Sequence, residues 1–424
     1  MKKRIIYTLV MGVLGLNLLL GAQIYLGRAQ AAGREDVYAN MEAFTRVLEL
    51  VRQNYVDGSK VSYEDLINAA LKGMLNTLDP HSEYMDARKF DELRNDTSGE
   101  FGGVGIVVSF RDNLITVVAP MDDSPGAKAG IAAGDRIVKI DGQSTERLTL
   151  NDAVGKLRGR PGSKVTITIA RPSFQKPKDI TLERAVITVS TVRDANGKGE
   201  FPLLTNKTGY VRLSSFGERT DADLEKALQK LEAQGMQSLV LDLRDNPGGL
   251  LDQAVKVSEK FLTKGQLVVS TEGRTASERS QHKASGSAHP KLPMVVLINE
   301  GSASASEIVA GCLQDLKRAV LVGEKSFGKG SVQSILPLKD CAALRLTTAK
   351  YYTPSHREIH GKGIQPDTVV PMTPDEERDI AIKRSPGGLE SLGEKDRERV
   401  RNARDSQLDR ALELLKTLGN VAAR

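Results

Sequence analysis

The stretch MVVLINEGSASASEI, residues 294–308, joins an apolar run typical of a buried strand to the start of an apolar helical pattern. Small residues and three serines lie at the junction. A strand that enters a helix through such a turn is a unit of an α/β fold. A hydroxyl at the first turn of a helix lies in a field that favours developing negative charge. Serines before helices are usually caps, however, and spacing alone does not choose among Ser302, Ser304 and Ser306.

The surrounding residues, 200–372, repeat this alternation of strand and helix. We predict strands at 238–243, 267–270, 294–299 and 319–323, and helices at 221–234, 250–262 and 304–316. Two further strand-like runs cover 332–338 and 343–350. The polar residues 271–291, rich in Ser and His, predict a mobile loop. Beyond residue 372 the chain is charge-dense, and the spacing of its leucines at 408, 412 and 415 predicts one helix that Gly419 ends.

Residues 96–186 have the short alternating runs and turn residues of a small β-rich module. The predicted strands are 105–110, 114–119, 136–141, 164–171 and 179–183, and a helix is predicted at 150–157. The glycine-rich stretch FGGVGI, residues 101–106, enters the first strand. Such a loop can offer backbone N–H groups to a terminal carboxylate, and the incoming tail then pairs with the edge of the strand.

Residues 34–95 have a helical pattern. An apolar face consists of Val37, Met41, Phe44, Leu48, Val51 and Tyr55. Asp57-Gly58 ends this first helix, and Ser62 with Asp65 forms a capping pair for a second one. Two apolar-faced helices ahead of any sheet need a partner surface, which is either the main domain or a second subunit.

The N-terminus has the pattern of an export signal. Lys2, Lys3 and Arg4 precede an apolar run over about 5–26, and Ala29-Gln30-Ala31 fits a cleavage site. The run is also long enough to span a bilayer. We therefore expect residues 1–31 to be a signal peptide or a membrane anchor. In both cases the chain is exported, to the periplasm or another extracytoplasmic location.

The net charge of +6 does not indicate a nucleic-acid partner. Residues 1–31 hold four basic residues and no acidic one, so their removal leaves +2, and no basic stripe alternates with aromatic residues. The two cysteines, Cys312 and Cys341, lie 29 residues apart without a CxxC pair. This spacing favours separate buried thiols over a disulfide and indicates no metal or cofactor site.

A lysine flanked by glycines follows the last of the alternating strands, in GEKSFGKG at 323–330. Such a lysine is ordinarily a solvated surface residue. A lysine amine can serve a serine hydroxyl as a general base only if burial lowers its pKa toward neutrality. The side-chain amide of Gln333, four residues beyond Lys329, could hold the amine in place.

A third segment, DLRDNPGG at 242–249, ends a predicted strand in a turn whose glycines expose backbone N–H groups. An oxyanion hole requires such N–H groups. A plain strand-to-helix turn has the same sequence features, so this segment alone does not decide between the two.

Together these segments resemble the carboxyl-terminal processing proteases, or tail-specific proteases, of peptidase family S41. The resemblance covers about 36–372: residues 55–82 are similar to the family's N-terminal segment, 96–186 to its PDZ domain, and 301–308 and 326–333 to its two catalytic motifs. It implies a multidomain fold of α+β and α/β type. The implied parts are a helical, dimerising segment at 34–95, a PDZ domain at 96–186, a ClpP/crotonase-like α/β protease core at 187–372 and a charged helical region at 373–424.

The resemblance also implies an activity: a serine endopeptidase without cofactor that cleaves protein substrates at or near their C-terminal tails, and that forms homo-oligomers, dimers in particular. The nucleophile falls on Ser304, the general base on Lys329 and the lysine-orienting residue on Gln333. The oxyanion hole is implied at the amide of Ala305 and at Gly248 or Gly249.

Tail binding is implied at the loop Gly103, Val104, Gly105 and Ile106, with Arg158 as a further candidate. The PDZ domain would capture the tail and could gate the active site.

The chain departs from the family pattern at four positions. Gly126 and Ile131 stand where a PDZ domain commonly has Ala and Leu. Cys341 and His356 lie in a stretch that often carries Gly at both places. None of the four is a matched catalytic position, so the departures bear on loop geometry.

Three other functions fit the sequence less well. A non-enzymatic PDZ scaffold for C-terminal peptides does not require the set Ser304, Lys329 and Gln333. A Ser-His-Asp hydrolase would draw on one of five histidines, but no GxSxG motif is present. A metalloprotease is disfavoured because HExxH is absent.

Overall fold

The computed structural model describes residues 37–422, apart from positions 112, 113, 122, 287, 288, 290, 291, 386, 390 and 391 and the side chains at 111, 340 and 419–422. The expected signal peptide or anchor at 1–31 lies outside the described residues. Within them, no helix has the length and apolar character needed to cross a bilayer.

The N-terminal unit contains two helices, as the periodicity predicted. Helix α1 covers residues 37–54, a 3-10 turn covers Gly58–Lys60, and α2 covers Tyr63–Asn76. Ser62 caps α2 by accepting a hydrogen bond from the Asp65 N–H at 3.1 Å, which confirms the predicted pair. The Arg52 guanidinium lies 3.6 Å from the centroid of the Tyr63 ring and joins the two helices. A short strand, β1 (Glu83–Met85), follows.

The remainder, residues 85–422, begins with a helix that the sequence analysis did not separate from its neighbours. This helix, α3 (Ala87–Ser98), starts at Asp86, whose carboxylate accepts a hydrogen bond from the Lys89 N–H at 3.0 Å. It ends at Gly99, where φ is 69°, a left-handed conformation that glycine adopts without strain. Strand β2 (Glu100–Gly103) then leads directly into the glycine-rich loop.

The predicted β-rich module is present, and its strands lie close to the predicted positions. Its main sheet has the order β3-β4-β5-β7-β8, with β6 beside β5, and β2 pairs with β9. The bounds are β3 (Ile106–Arg111), β4 (Leu114–Pro120), α4 (Pro125–Lys128), β5 (Arg136–Ile140), β6 (Gln143–Ser144), α5 (Leu150–Leu157), β7 (Lys164–Ala170), β8 (Lys178–Glu183) and β9 (Ala185–Thr188). The alternating Ile115, Ile137, Ile167 and Ile169 are fully buried and form its aliphatic core.

The α/β core is built on a sheet of order β10-β11-β12-β15-β16-β19, which is parallel from β11 onward. Its strands are β10 (Val192–Arg193), β11 (Thr208–Leu213), β12 (Ser238–Asp242), β15 (Met294–Ile298), β16 (Val320–Gly323) and β19 (Thr368–Val369). Every residue of β12 and β15 is buried, as expected for central parallel strands covered on both faces. Helices α6 (Thr220–Ala233), α7 (Leu251–Glu259) and α8 (Ala305–Asp315) confirm the predicted helices.

A second, antiparallel sheet contains β13 (Leu267–Gly273), β14 (Ser280–Lys283), β17 (Ser331–Pro337) and β18 (Ala343–Tyr352). The predicted mobile loop at 271–291 is therefore wrong for its first half. The segment forms a hairpin although its side chains are polar, because strand pairing uses backbone groups. The Thr271 and Ser280 hydroxyls form a hydrogen bond across the hairpin at 2.9 Å. His289, also assigned to that loop, is 6% exposed and bonds Glu232 at 2.5 Å. The other 3-10 turns are Thr205–Lys207, Ala276–Glu278 and Lys339–Cys341.

The charged C-terminal region folds onto the core as three helices, α9 (Pro374–Arg384), α10 (Glu394–Arg401) and α11 (Ser406–Ala422). Gly419 does not end α11, so that prediction is wrong; the helix continues through it to Ala422. Ala411 and Leu415 of α11 pack against the face of the parallel sheet that carries Tyr210 and Val240. This contact covers the sheet face that α6, α7 and α8 leave free.

The two cysteines are both free, as predicted, but only Cys312 is buried and Cys341 is exposed. Burial raises the pKa of the Cys312 thiol to about 12. Cys341 and His356 both have φ of 61°. These two departures from glycine therefore stand at left-handed positions, where a side chain is strained.

Candidate active site

Ser304 lies at the point where β15 has ended and α8 begins. Its φ of 54° and ψ of −111° are outside the usual regions for a residue with a side chain, and strained backbone of this kind is concentrated at functional sites. The neighbouring serines have structural roles. The Ser302 hydroxyl donates to the Leu243 carbonyl at 2.8 Å, and the Ser306 hydroxyl donates to the Asn246 carbonyl at 2.8 Å.

The Ser304 hydroxyl has a different partner. It interacts with the phenol of Tyr351, a residue of β18 that is 4% exposed. Burial raises the pKa of Tyr351 to about 12, while the interaction with Ser304 acts in the opposite direction. Tyr351 was not a predicted site residue, because the predicted strand ended at 350 and an aromatic residue in a strand has the appearance of core.

Glu307 joins the serine segment to the lysine segment. One oxygen, Oε2, accepts hydrogen bonds from the backbone N–H of Ser304 and of Lys329, each at 2.8 Å. The other oxygen, Oε1, accepts from the Gly328 N–H at 2.7 Å and the Ser326 hydroxyl at 2.5 Å. The side chain is fully buried. Sequence reasoning missed this role, although the Glu sits one turn into the helix, where it can reach back to the segment before it.

Lys329 lies in the connection between β16 and β17 and is half-buried. The flanking glycines let this connection pack closely against residues 359–363. A Cβ atom on Gly330 would lie 2.2 Å from the backbone nitrogen of His360, and Gly328 has φ of 96°. The Gly328 carbonyl accepts a hydrogen bond from the Gly361 N–H at 2.8 Å. The backbone at Lys329 is thus held from two sides.

Gln333 lies on β17 next to a register shift between positions 332 and 333 of the β17–β18 pair. Such bulges re-aim a side chain. The Gln333 amide donates to the Ser331 hydroxyl at 2.9 Å and to the Thr347 hydroxyl at 3.4 Å. Its carbonyl oxygen is the end that could accept a hydrogen bond from a lysine amine.

The turn after β12 lies against the serine. A Cβ atom on Gly248 would be 2.8 Å from the Ser304 Cβ and 2.9 Å from the Ala305 nitrogen. The Gly248 N–H donates to Asn246 Oδ1 at 2.9 Å. The Gly248 carbonyl accepts from the Phe216 N–H at 2.9 Å, which orders the turn from the other side. Only glycine fits at Gly248, because φ there is 99° and the serine segment is in contact.

A buried charge network supports the same turn. Arg244 bonds Asp242 through Nε and Nη2, at 3.0 Å and 2.6 Å. It also bonds both carboxylate oxygens of Asp405, at 2.9 Å and 2.8 Å. Burial alone would raise the pKa of Asp242, but the guanidinium groups of Arg244 and Arg384 outweigh it and hold that pKa well below its usual range. The Asp405 partner could not be foreseen, since 161 residues separate it from Arg244.

The predicted tail-binding loop lies at the junction of β2 and β3. The Val104 carbonyl accepts from the Gly126 N–H at 2.8 Å, and the Gly105 carbonyl accepts from the Met121 N–H at 2.9 Å. A Cβ atom on Gly126 would lie 2.5 Å from the side chain of Ile106, so glycine at this departure from the PDZ pattern has a packing reason. Arg158 ends α5, and its guanidinium lies 4.4 Å from the centroid of the Phe101 ring, beside Gly103.

Comparison with known proteins agrees with this architecture. Three family models match: the activating protease CtpB N-terminal domain at residues 22–89, a PDZ domain at 116–171 and peptidase family S41 at 207–370. A solved structure from Bacteroides fragilis, described as a candidate S41 protease, has a TM-score of 0.51 at 19% identity and covers 88% of this chain and 97% of its own. This last similarity concerns the fold alone.

Curated relatives match over most of the chain. The carboxy-terminal-processing protease of Bartonella bacilliformis is 48% identical over 341 residues, which are 79% of this chain and 76% of the relative. The carboxyl-terminal-processing protease of Synechocystis sp. is 37% identical over 378 residues, 84% of this chain and 86% of the relative. The N-terminal helices, the PDZ domain and the α/β protease core are thus those of one family, and this chain belongs to the carboxyl-terminal processing proteases of peptidase family S41, which are serine peptidases.

Proposed function

We propose that this peptidase uses Ser304 as nucleophile and Lys329 as general base, and that it cleaves protein substrates at or near their C-terminal tails. The observation that carries the proposal is the single oxygen of Glu307 that binds the backbone N–H groups of both residues. Two segments 25 positions apart in sequence are thereby held on one atom. Positioning of a nucleophile beside its base is the main requirement of this chemistry.

The proposed reaction has two halves. Neutral Lys329 accepts the proton of the Ser304 hydroxyl, and the serine oxygen attacks the peptide carbonyl carbon. The resulting ammonium donates its proton to the leaving amine as the carbon–nitrogen bond breaks. Water then enters, loses a proton to Lys329 and hydrolyses the acyl-enzyme, which returns the proton to Ser304. Gln333 would orient the lysine amine through its carbonyl oxygen.

The oxyanion donors are proposed from the arrangement of N–H groups. The Ala305 N–H is the first of α8, and first-turn N–H groups have no acceptor within their own helix. The Gly248 N–H already donates to Asn246. Of the two glycines left open by the sequence, Gly249 is therefore the better second donor in this conformation.

Tail recognition is proposed for the PDZ domain. The loop Gly103–Ile106, with its left-handed Gly105 at φ of 66°, would bind the terminal carboxylate, and the tail would pair with β3. Arg158, beside Gly103, would add a positive charge near that carboxylate. Occupancy of this site could gate the active site, because substrate would then shift the populations of two states.

Two further proposals concern the N-terminal part of the chain. We propose export through residues 1–31, with or without anchoring, because three basic residues and an apolar run there have the pattern of an export signal. The apolar face of α1 remains largely exposed; Met41 is 55% and Phe44 is 41% exposed. A second copy of the chain would cover this face, and we propose a homodimer.

The test compares Ser304→Ala and Lys329→Ala with Lys325→Ala, an exposed lysine in the same connection. Each full-length variant is assayed on an unfolded protein bearing an exposed C-terminal tail. We expect both active-site variants to lose turnover by more than about a thousandfold, and Lys325→Ala to retain it. Wild-type turnover in Lys329→Ala would refute the dyad. Binding of the tail without any cleavage by the wild-type chain would favour the scaffold function.

A further inference from the structure

A cavity of about 940 Å³ lies beside the predicted catalytic residues. Gly248, Gly249 and Gln333 line it, and Gly248 touches Ser304. A volume of this order holds more than one amino-acid side chain. A polypeptide whose carbonyl lies at Ser304 therefore has this cavity beside its neighbouring side chains.

Helix α3 forms one side of the cavity. Phe90 and Leu93, three positions apart and hence on one face of the helix, line it and are partly buried. Leu250 and Ile335 contribute further apolar surface from the turn after β12 and from β17. The side chain of Ile335 is 37% exposed, so this apolar surface is open to an incoming chain.

Contacts at both ends hold helix α3 in place. Its first turn is capped by Asp86, and the Thr97 carbonyl near its end accepts a hydrogen bond from the Glu218 N–H at 3.0 Å. Arg219 forms an ion pair with Glu100 just beyond the helix, at 2.7 Å. The loop that holds α3 is the one whose Phe216 bonds Gly248. The helix is thus tied to the turn that lies against Ser304.

From this arrangement we propose that α3 determines cleavage-site specificity: Phe90 and Leu93, with Leu250 and Ile335, bind an apolar side chain of the substrate next to the scissile bond. The proposal rests on Ser304 being the nucleophile. The occupant is an unfolded protein segment, because Gly248, which lies against Ser304, and Gln333 line the same cavity as these apolar side chains.

The test introduces a charge into the apolar wall. The full-length variants Leu93→Lys and Leu93→Ala are compared with Glu92→Lys, an exposed position of the same helix that does not line the cavity. Each digests one unfolded, tail-bearing protein, and mass spectrometry identifies the bonds cleaved and their rates. A small fluorophosphonate that labels Ser304 measures the intact sites in each preparation.

We expect wild type and Glu92→Lys to cleave next to apolar residues. Both Leu93 variants should lose about ten- to hundredfold in kcat/KM at those bonds, and Leu93→Lys should shift cleavage toward bonds next to acidic residues, while Ser304 is labelled to the same final extent. Unchanged bonds and rates in both Leu93 variants would overturn the specificity proposal. If the fluorophosphonate does not label Ser304 in the active wild-type enzyme, the nucleophile assignment is refuted instead.

Discussion

Two buried carboxylates hold the loops around Ser304, and they are stabilised in different ways. Glu307 accepts hydrogen bonds from three backbone N–H groups and one hydroxyl. Asp242 lies between the guanidinium groups of Arg244 and Arg384. Burial raises the pKa of Glu307 and its hydrogen bonds only partly offset the effect, whereas the pKa of Asp242 is lowered.

Hydrogen-bond donors and guanidinium groups contribute different things to a buried carboxylate. Directed N–H dipoles fix geometry at short range, but they only partly offset the desolvation free energy of the buried carboxylate. Guanidinium groups offset that desolvation free energy and also connect elements far apart in sequence. Glu307 therefore serves the placement of reacting residues, and the Asp242 network serves the attachment of the C-terminal helices.

Replacing Glu307 by Gln should have the largest effect. Both Glu307 oxygens accept hydrogen bonds from backbone N–H groups. In Gln, an NH2 group replaces one of these oxygens and cannot accept, so the segments of Ser304 and Lys329 must move apart. A displacement of about 1 Å can cost about a hundredfold in rate, and we expect kcat to fall by at least that factor. Steady-state turnover of an unfolded substrate, with Ser304 titration to count active sites, provides the measurement.

Asp315→Asn is the matched control for Glu307→Gln. Asp315 is a buried carboxylate at the other end of α8, where it accepts hydrogen bonds from Ser355. Its replacement should lower stability without a comparable loss of kcat. Equal losses of kcat in the two variants would mean that Glu307 acts only through folding.

Asp405→Asn should have the second largest effect, and on stability. It removes the charge that pairs with Arg244 and Arg384, both nearly buried. We expect the free energy of unfolding of the core to fall by about 2 kcal/mol, with kcat within tenfold of wild type. Asp409→Asn, which breaks an exposed pair with Arg404, should cost about 0.5 kcal/mol or less. Denaturant unfolding measures both, and similar costs for the two variants would contradict this interpretation.

Asp405, which belongs to the Asp242 network, and Glu307 should respond to pH in opposite directions. The lowered pKa of Asp405 means that its stabilisation is present above the unfolded value, about 3.9, and disappears as pH falls below it. The raised pKa of Glu307 means that the folded state binds its proton more tightly, so wild type gains stability relative to Glu307→Gln as pH falls toward 4.5.

Unfolding midpoints between pH 3.5 and 7 test this contrast. The destabilisation by Asp405→Asn should shrink on acidification, and the destabilisation by Glu307→Gln should grow. Parallel pH profiles for the two variants would show that both carboxylates are stabilised in the same way.

The contrast also explains how far the sequence could predict this molecule. Strands with apolar periodicity, such as β4, β12 and β15, and the helix α5 lie within about a residue of prediction, because local pattern and burial agree there. The hairpin of β13 and β14 was missed because its side chains are polar and its stability comes from backbone pairing. Helix α11 continues through Gly419 because a single glycine weakens a helix without ending it.

The same distinction holds for the candidate site. Ser304, Lys329 and the glycines of the DLRDNPGG turn lie in short motifs whose residue types suggest their chemistry. Glu307 lies in one of those motifs, but its role depends on hydrogen bonds with the backbone of both Ser304 and Lys329, which the motif itself does not predict. Asp405 carries no local signal, since its function depends on a contact with a strand end 161 positions away.

Tyr351→Phe should have the smallest effect, since it removes a neutral partner and no charge. The Ser304 side chain loses its interaction with the buried phenol. We expect kcat to fall about three- to tenfold, KM to stay unchanged and stability to change by about 1 kcal/mol or less. Tyr352→Phe is the control, because the Tyr352 ring stacks on His356 at 4.5 Å on the other side of the strand. A kcat for Tyr351→Phe equal to that of Tyr352→Phe would mean that the phenol only fills space beside the nucleophile and does not orient it.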